Sequence, residues 1–141
     1  GAPAPITAPD LTAPLAPVGA ISTDGTTITG TGEAGATVTS RGVDGTVLGT
    51  AVVAGDGSFT APLTPAQANG QLVSLTQADA AGNVSPVTQG NAPDITAPVG
   101  LTAAINGAGT LVTGTGEAGA TVAIRDAGGT VLGTAVVAAN G

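Results

Sequence analysis

The sequence predicts an all-β fold: immunoglobulin-like seven-stranded β-sandwich repeats in tandem. Three observations predict it. The composition suits short strands and tight turns, with Val, Ile, Leu, Ala and Thr abundant, 24 Gly and 10 Pro in 141 residues, and a single Phe as the only aromatic. The segment Gly30-Thr31-Gly32-Glu33-Ala34-Gly35-Ala36-Thr37-Val38 recurs letter for letter at 114–122, an offset of 84 residues. Between the copies, short runs of alternating polarity are separated by Gly- and Asp-rich turn signals.

The same offset carries Ala8-Pro9-Asp10 onto Ala92-Pro93-Asp94, Arg41 onto Arg125, and Gly45 to Ala54 onto Gly129 to Ala138 without a gap. The expected organisation is residues 1–9 as linker or the end of a preceding repeat, 10–93 as one complete repeat, and 94–141 as a second repeat with strands A to D only. A period of 84 residues exceeds the common helical and leucine-rich units and suits one seven-stranded sandwich, which needs roughly 100 residues.

Within the complete repeat the elements are expected as follows. Strand A runs from Val18 to Ser22 and ends at Thr23-Asp24-Gly25. Strand B runs from Thr26 to Thr31 with Ile28 inward, and strand C from Ala36 to Arg41 with Ala36 and Val38 on one face. Asp44-Gly45 tolerates positive φ at the turn and signals a hairpin into strand D, Thr46 to Val53. Strand E, Ser58 to Leu63, points Phe59, Ala61 and Leu63 inward. Thr64 to Gly70 reads as a helical turn. Strand F, Gln71 to Ala78, points Val73 and Leu75 inward, and strand G runs from Val84 to Gln89. Gly1 to Pro17 is proline-rich and reads as an extended linker. Strands of this length give roughly 35–40 Å per repeat, and short linkers with two prolines favour a stiff rod.

Charge and chemistry exclude several functions. Nine acids stand against two cations, a net charge of −7. A phosphate backbone or an anionic membrane needs cations, so no nucleic-acid partner is expected. No apolar run reaches a membrane span, so no direct membrane insertion is expected in this segment. The N-terminus lacks the layout of a signal peptide, which places any export signal outside the segment. With no His and no Cys, the usual general base, the common triads and the soft metal ligands are missing, and no enzyme is expected. Arg41 and Arg125 end strand C in each repeat, where a surface ion pair with a nearby Asp is expected.

Pro-Asp-x-Thr-Ala-Pro at 9–14 and 93–98, Gly-Thr-Gly-Glu-Ala-Gly-Ala-Thr-Val, and Asp-Ala-Ala-Gly-Asn at 79–83, in this order and spacing, resemble bacterial Ig-like tandem repeats. Such repeats build large biofilm-associated (Bap-type) surface adhesins. The resemblance implies a structural stalk repeat of an extracellular, cell-surface adhesin acting in biofilm formation and cell adhesion, often stiffened by calcium. The alternative is a binding module that recognises a glycan or protein, or makes homotypic cell–cell contact, through loops or Thr-rich faces. Expected partners are neighbouring repeats of the same chain, homotypic adhesin contacts, or a host surface.

Strand order places the acids. The B–C, D–E and F–G loops fall at the pole where the chain arrives. That gathers Asp10, Glu33, Asp79 and Asn83 there as candidate calcium ligands, with Asp94 and Glu117 as the counterparts in repeat two. Calcium takes six to eight oxygen ligands in flexible geometry, and an oxygen-only set favours it over zinc or copper. Asp24, Asp44 and Asp56 stand in Asp-Gly turns and are expected to be turn residues.

Overall fold

The computed structural model describes every residue, Gly1–Gly141. The contacts divide the chain into two compact units, Gly1–Thr96 and Ala97–Gly141. Unit 1 holds β1 (Val18–Ile21), β2 (Thr27–Thr31), β3 (Thr37–Arg41), β4 (Val47–Val52), β5 (Ser58–Pro62), β6 (Leu72–Ala78) and β7 (Thr88–Asn91). They form a sandwich of two antiparallel sheets, ordered β1-β2-β5 and β4-β3-β6-β7.

The alternation that predicts the strands also builds the core. Ile28, Phe59 and Ala61 point in from one sheet, and Val38, Leu48, Val73 and Leu75 from the other. Ala36, Val53, Leu63 and Ala92 close the ends, and all are buried. Every residue read as inward-facing lies in this set. Small side chains let the sheets approach, and Phe59 supplies the one large ring.

The placement of β4 follows from its turn. Gly45, at φ 82, closes a tight turn in which its N–H donates to Gly42 O at 3.0 Å and Gly42 N–H donates to Thr46 O at 3.0 Å. A turn this short can only return the chain alongside β3, so β4 joins the sheet of β3. The pairing skips one residue, from Ser40↔Gly49 to Arg41↔Val47. This bulge turns Leu48 inward while leaving Val47 exposed. Gly49 then lies against β5, where an added Cβ would stand 1.9 Å from the Pro62 carbonyl oxygen.

Two expectations change. Thr64–Gly70 is not a helical turn. Its backbone donors are spent elsewhere, Gln67 N–H on Gly25 O at 2.8 Å and Asn69 N–H on Gln71 Oε1 at 2.7 Å, so no helical ladder forms. Strand G starts later than Val84: only an isolated Ala78↔Val84 bridge precedes β7. Pro86 has no N–H to donate, and Ser85 turns inward to accept Gln77 N–H at 3.0 Å and donate to Pro86 O at 2.8 Å. The proline-rich start carries no strand or helix, and only its last part is held, with Pro14 and Pro17 buried in unit 1.

Unit 2 holds β8 (Thr102–Ile105), β9 (Val112–Thr115), β10 (Thr121–Arg125) and β11 (Val131–Val136). They form two antiparallel hairpins, β8-β9 and β10-β11. No helix in the chain is long and apolar enough to cross a membrane.

Candidate functional site

The incoming pole of unit 1 is a docking site for the chain's own proline-rich segment. Gln77 organises it. The alternation of β6 puts Gln77 on the same face as Val73 and Leu75, so an amide stands at a core position, 2 % exposed. Its Nε2 donates to the Leu15 carbonyl at 2.7 Å, and its Oε1 accepts the Glu33 N–H at 3.0 Å. A buried amide is tolerated only when its groups are paired, and no buried side-chain polar atom here lacks a partner. Two further bonds flank it. Asn83 Nδ2 donates to the Asp10 carbonyl at 2.9 Å, and Thr88 Oγ1 donates to the Pro17 carbonyl at 2.5 Å. Asp10 to Pro17 is thus fixed at three carbonyls by side chains of the F and G region.

The outgoing pole holds the second copy of the same motif. Asp94 bridges Asn69, Ile95 N–H donates to Ala68 O at 3.0 Å, and Thr96 Oγ1 donates to Ala68 O at 3.0 Å. Asp94 Oδ1 accepts Thr96 N–H at 3.2 Å, and Asp10 Oδ1 accepts Thr12 N–H at 3.0 Å, the same local turn in both copies. Asp94 to Thr96 therefore pack with unit 1, although sequence alignment opens repeat two at Asp94.

The acids expected to bind calcium are only partly brought together. Asp79 Oδ1 accepts the N–H groups of Ala81 at 3.0 Å and Asn83 at 2.9 Å. Its Oδ2 accepts Asn83 Nδ2 at 2.9 Å. The Asn83 amide and these backbone N–H groups, in that order of weight, hold the Asp79 carboxyl below the usual carboxylate range. Asp10, Asp79 and Asn83 thus form one hydrogen-bonded cluster. Glu33 reaches this pole through its backbone N–H to Gln77. Asp94 lies in unit 1 at the outgoing pole and Glu117 in unit 2.

No group of three or more acidic side chains stands close enough to hold a metal ion, which corrects the expectation that the carboxylates converge as one set. The donors are oxygens of the kind calcium takes. Asn83 Nδ2 donates to both the Asp10 carbonyl and the Asp79 carboxylate, the oxygens a cation would share.

Asp24, Asp44 and Asp56 are turn residues. Asp24 Oδ1 accepts Ser22 Oγ at 2.6 Å and Thr26 Oγ1 at 2.7 Å, and these bonds lower its pKa to about 2. Asp44 Oδ1 accepts Thr46 N–H at 3.0 Å, and Asp56 Oδ1 accepts Ser58 N–H at 2.9 Å. Arg41 finds no carboxylate: its Nη1 donates to Thr76 Oγ1 at 3.3 Å, the neighbour that β6 places opposite β3.

The docking residues Gln77 and Thr88, and Ser85 which holds the Gln77 backbone, have no place among the acids picked from the sequence. One signal was available, a polar Gln77 two residues beyond Val73 and Leu75 on an inward face. The Ser85 and Thr88 contacts depend on where Pro86 ends the strand, which no local pattern shows.

The fold and its poles can be set beside known proteins. No curated protein matches the chain. A solved structure of a biofilm associated protein, its BSP domain, is similar at a TM-score of 0.49 and 22% identity, with 88% of this chain aligned. The chain spans 22% of that structure's length. The bacterial Ig domain profile matches residues 13–94 and again 97–141, and the chain belongs to the bacterial Ig domain family.

Proposed function

We propose that this chain is a structural stalk repeat of a bacterial cell-surface adhesin, acting outside the cell in biofilm formation or attachment and carrying no catalytic activity. Family membership supports it. The observation that carries it is the double use of Pro-Asp-x-Thr-Ala-Pro. One copy is bonded along Asp10 to Pro17 at the incoming pole of unit 1, and the other along Asp94 to Thr96 at its outgoing pole. In an array, a motif anchored this way at both ends leaves few free backbone rotations between repeats, and a stalk works by keeping its length. Its partners are then neighbouring repeats of the same chain, with homotypic contacts or a host surface at the level of the whole adhesin.

Small-angle scattering on arrays of increasing repeat number tests the reading. A largest dimension that grows in proportion to repeat number is expected. Growth near the square root of repeat number, as for a flexible chain, overturns it. Bead-aggregation assays with the same arrays separate a passive stalk from homotypic contact.

A second reading adds calcium at the incoming pole, favoured by the meeting of the Asp79 carboxylate and the Asp10 carbonyl on one Asn83 side chain. Asp10, Asp79 and Asn83 would hold it, with Glu33 as the nearest further carboxylate by loop order. Binding to the folded state alone would raise the melting midpoint. Melts in excess calcium and in chelator should then differ, and coincident midpoints remove calcium while leaving the anchored linker untouched.

A further inference from the structure

The chain holds three Asn-Gly pairs, Asn69-Gly70, Asn106-Gly107 and Asn140-Gly141. An asparagine followed by glycine can react with its own backbone, because glycine has no side chain to screen its nitrogen. That nitrogen attacks the carbonyl carbon of the asparagine side chain. The attack needs a side chain free to turn towards the backbone and an N–H that a base can deprotonate. The structure separates the three pairs on these two grounds.

Asn106 is held by three bonds. Its Oδ1 accepts Thr110 N–H at 2.9 Å and Leu111 N–H at 3.1 Å, and its Nδ2 donates to Thr110 Oγ1 at 3.0 Å. These must break before the amide can reach the Gly107 nitrogen. Asn140 stands in the turn where Asp56 stands in the first repeat, and there Gly141 N–H is committed to Ala138 O at 2.9 Å. Asn69 is different. It is exposed, and only its backbone N–H, on Gln71 Oε1, takes part in a hydrogen bond to a side chain. Gly70 lies at φ 69, and its N–H reaches Pro93 O only at 3.2 Å, the longest of the loop and turn backbone bonds.

What this loop holds gives the reaction a consequence. Ala68 O accepts Ile95 N–H and Thr96 Oγ1, each at 3.0 Å. Asn69 pairs with Asp94, and Gly70 O accepts Asn91 Nδ2 at 3.1 Å. A Cβ on Gly70 would lie 3.8 Å from Asp94 Cβ, so the Asp94 side chain stands beside the reacting pair.

We propose that Asn69-Gly70 is a self-modification site whose conversion unfastens the outgoing Asp94–Thr96 segment. A hydroxide ion takes the Gly70 N–H proton, the nitrogen bonds to Asn69 Cγ, and the Cγ–Nδ2 bond breaks with Nδ2 leaving as ammonia. Water then opens the five-membered imide at either carbonyl, so one water is consumed and one ammonia released. Opening at the side-chain carbonyl gives aspartate. Opening at the main-chain carbonyl gives isoaspartate, whose chain runs on through Cγ with one more C–C bond, about 1.5 Å of added path. Both products place a new carboxylate beside Asp94, and like charges repel. The isoaspartate also moves Gly70 relative to Ala68, out of register with Pro93 and Asn91. The inference does not rest on the adhesin reading; in a stalk it would give the anchor a limited lifetime.

The test incubates the full folded chain at mildly alkaline pH and follows each asparagine by mass spectrometry, with isoaspartyl methyltransferase as the probe for isoaspartate. Asn69 should convert about tenfold faster than Asn106, the factor that one or two net hydrogen bonds impose. In urea, where neither side chain is held, the two rates should converge. Hydrogen exchange then reads the consequence: Ile95 N–H should exchange about tenfold faster in converted chain than in fresh chain, with Val38 still protected. N69S lacks the reactive carbonyl and, at an exposed position, should fold and keep Ile95 protected through the same incubation. Equal conversion of Asn69 and Asn106 in the folded chain overturns the proposal. So does converted chain in which Ile95 stays protected, and so does N69S losing that protection on the parent's schedule.

Discussion

Gln77 shows how much one polar side chain can organise in a core this light. It ties the arriving segment, the turn before β3 and the Ser85 corner together from a position inside the sandwich. Replacing it with Ala would remove the acceptor of the Glu33 N–H and the donor to the Leu15 carbonyl, and a net intramolecular hydrogen bond contributes about 0.5–1.5 kcal/mol. Gln77→Ala should therefore lower the urea midpoint and make Asp10 to Pro17 cleavable in limited proteolysis, whereas the parent resists. Asp24 gives a prediction in pH. Its folded pKa of about 2 lies below the ordinary 3.8 because Ser22 and Thr26 donate to it. The unfolded chain thus takes up the proton first as pH falls, and stability present above about pH 4 is lost on the way to about pH 2. Asp24→Asn keeps an acceptor oxygen but cannot titrate there, so acid unfolding curves of the variant should be shallower across that window. Equal slopes would remove Asp24 from the acid response.

At the level of elements, the hairpins are encoded locally. Asp126 Oδ1 accepts the N–H groups of Gly128 and Thr130 at 2.9 Å, doing for β10–β11 what Asp44 does for β3–β4 from a different position. Asn106 Oδ1 takes Thr110 N–H at 2.9 Å and Leu111 N–H at 3.1 Å, as Ser22 Oγ takes the N–H groups of Thr26 and Thr27 at 3.1 Å. Different residues reach the same turn because the backbone needs only an acceptor at that point. Packing between sheets is different. Gly49 and Gly133 are counterparts by the duplication, yet a Cβ at Gly49 would collide with the Pro62 carbonyl while one at Gly133 meets nothing within 4 Å. Gly49→Ala should force β4 and β5 apart and destabilise unit 1 by about 1–3 kcal/mol. Gly133→Ala should change stability by no more than about 0.5 kcal/mol. Paired denaturation curves check both, and a neutral Gly49→Ala would show that the two sheets can separate without loss.

Across the whole chain, burial separates the two units more sharply than sequence does. Unit 1 closes around Phe59, 5 % exposed, and Phe59→Ala should cost about 3–5 kcal/mol, enough to unfold it in a melt. Hydrogen exchange should show strong protection at Ile28, Val38, Val73 and Leu75 and fast exchange through the exposed residues 2 to 8, because segments with few buried contacts open locally. Equal protection in both would contradict this. The strand set, the inward residues and the turn aspartates were legible from the sequence, because period-two alternation and Asp-Gly chemistry are properties of a few neighbouring residues. The incoming cluster was legible in part: loop order brought Asp10, Asp79 and Asn83 to one place. Only the tertiary structure decided that Asn83 spends its amide there on hydrogen bonds, that Gln77 and Thr88 fasten the proline-rich segment, and that β7 waits for Pro86. Those outcomes depend on contacts such as Leu15 to Gln77 and Pro17 to Thr88, made between residues far apart in the chain. The physical reason is one of range: local sequence sets the register of a hairpin, but side chains such as Ile28 and Val38 are buried only because β5 and β6 arrive from far along the chain to cover them.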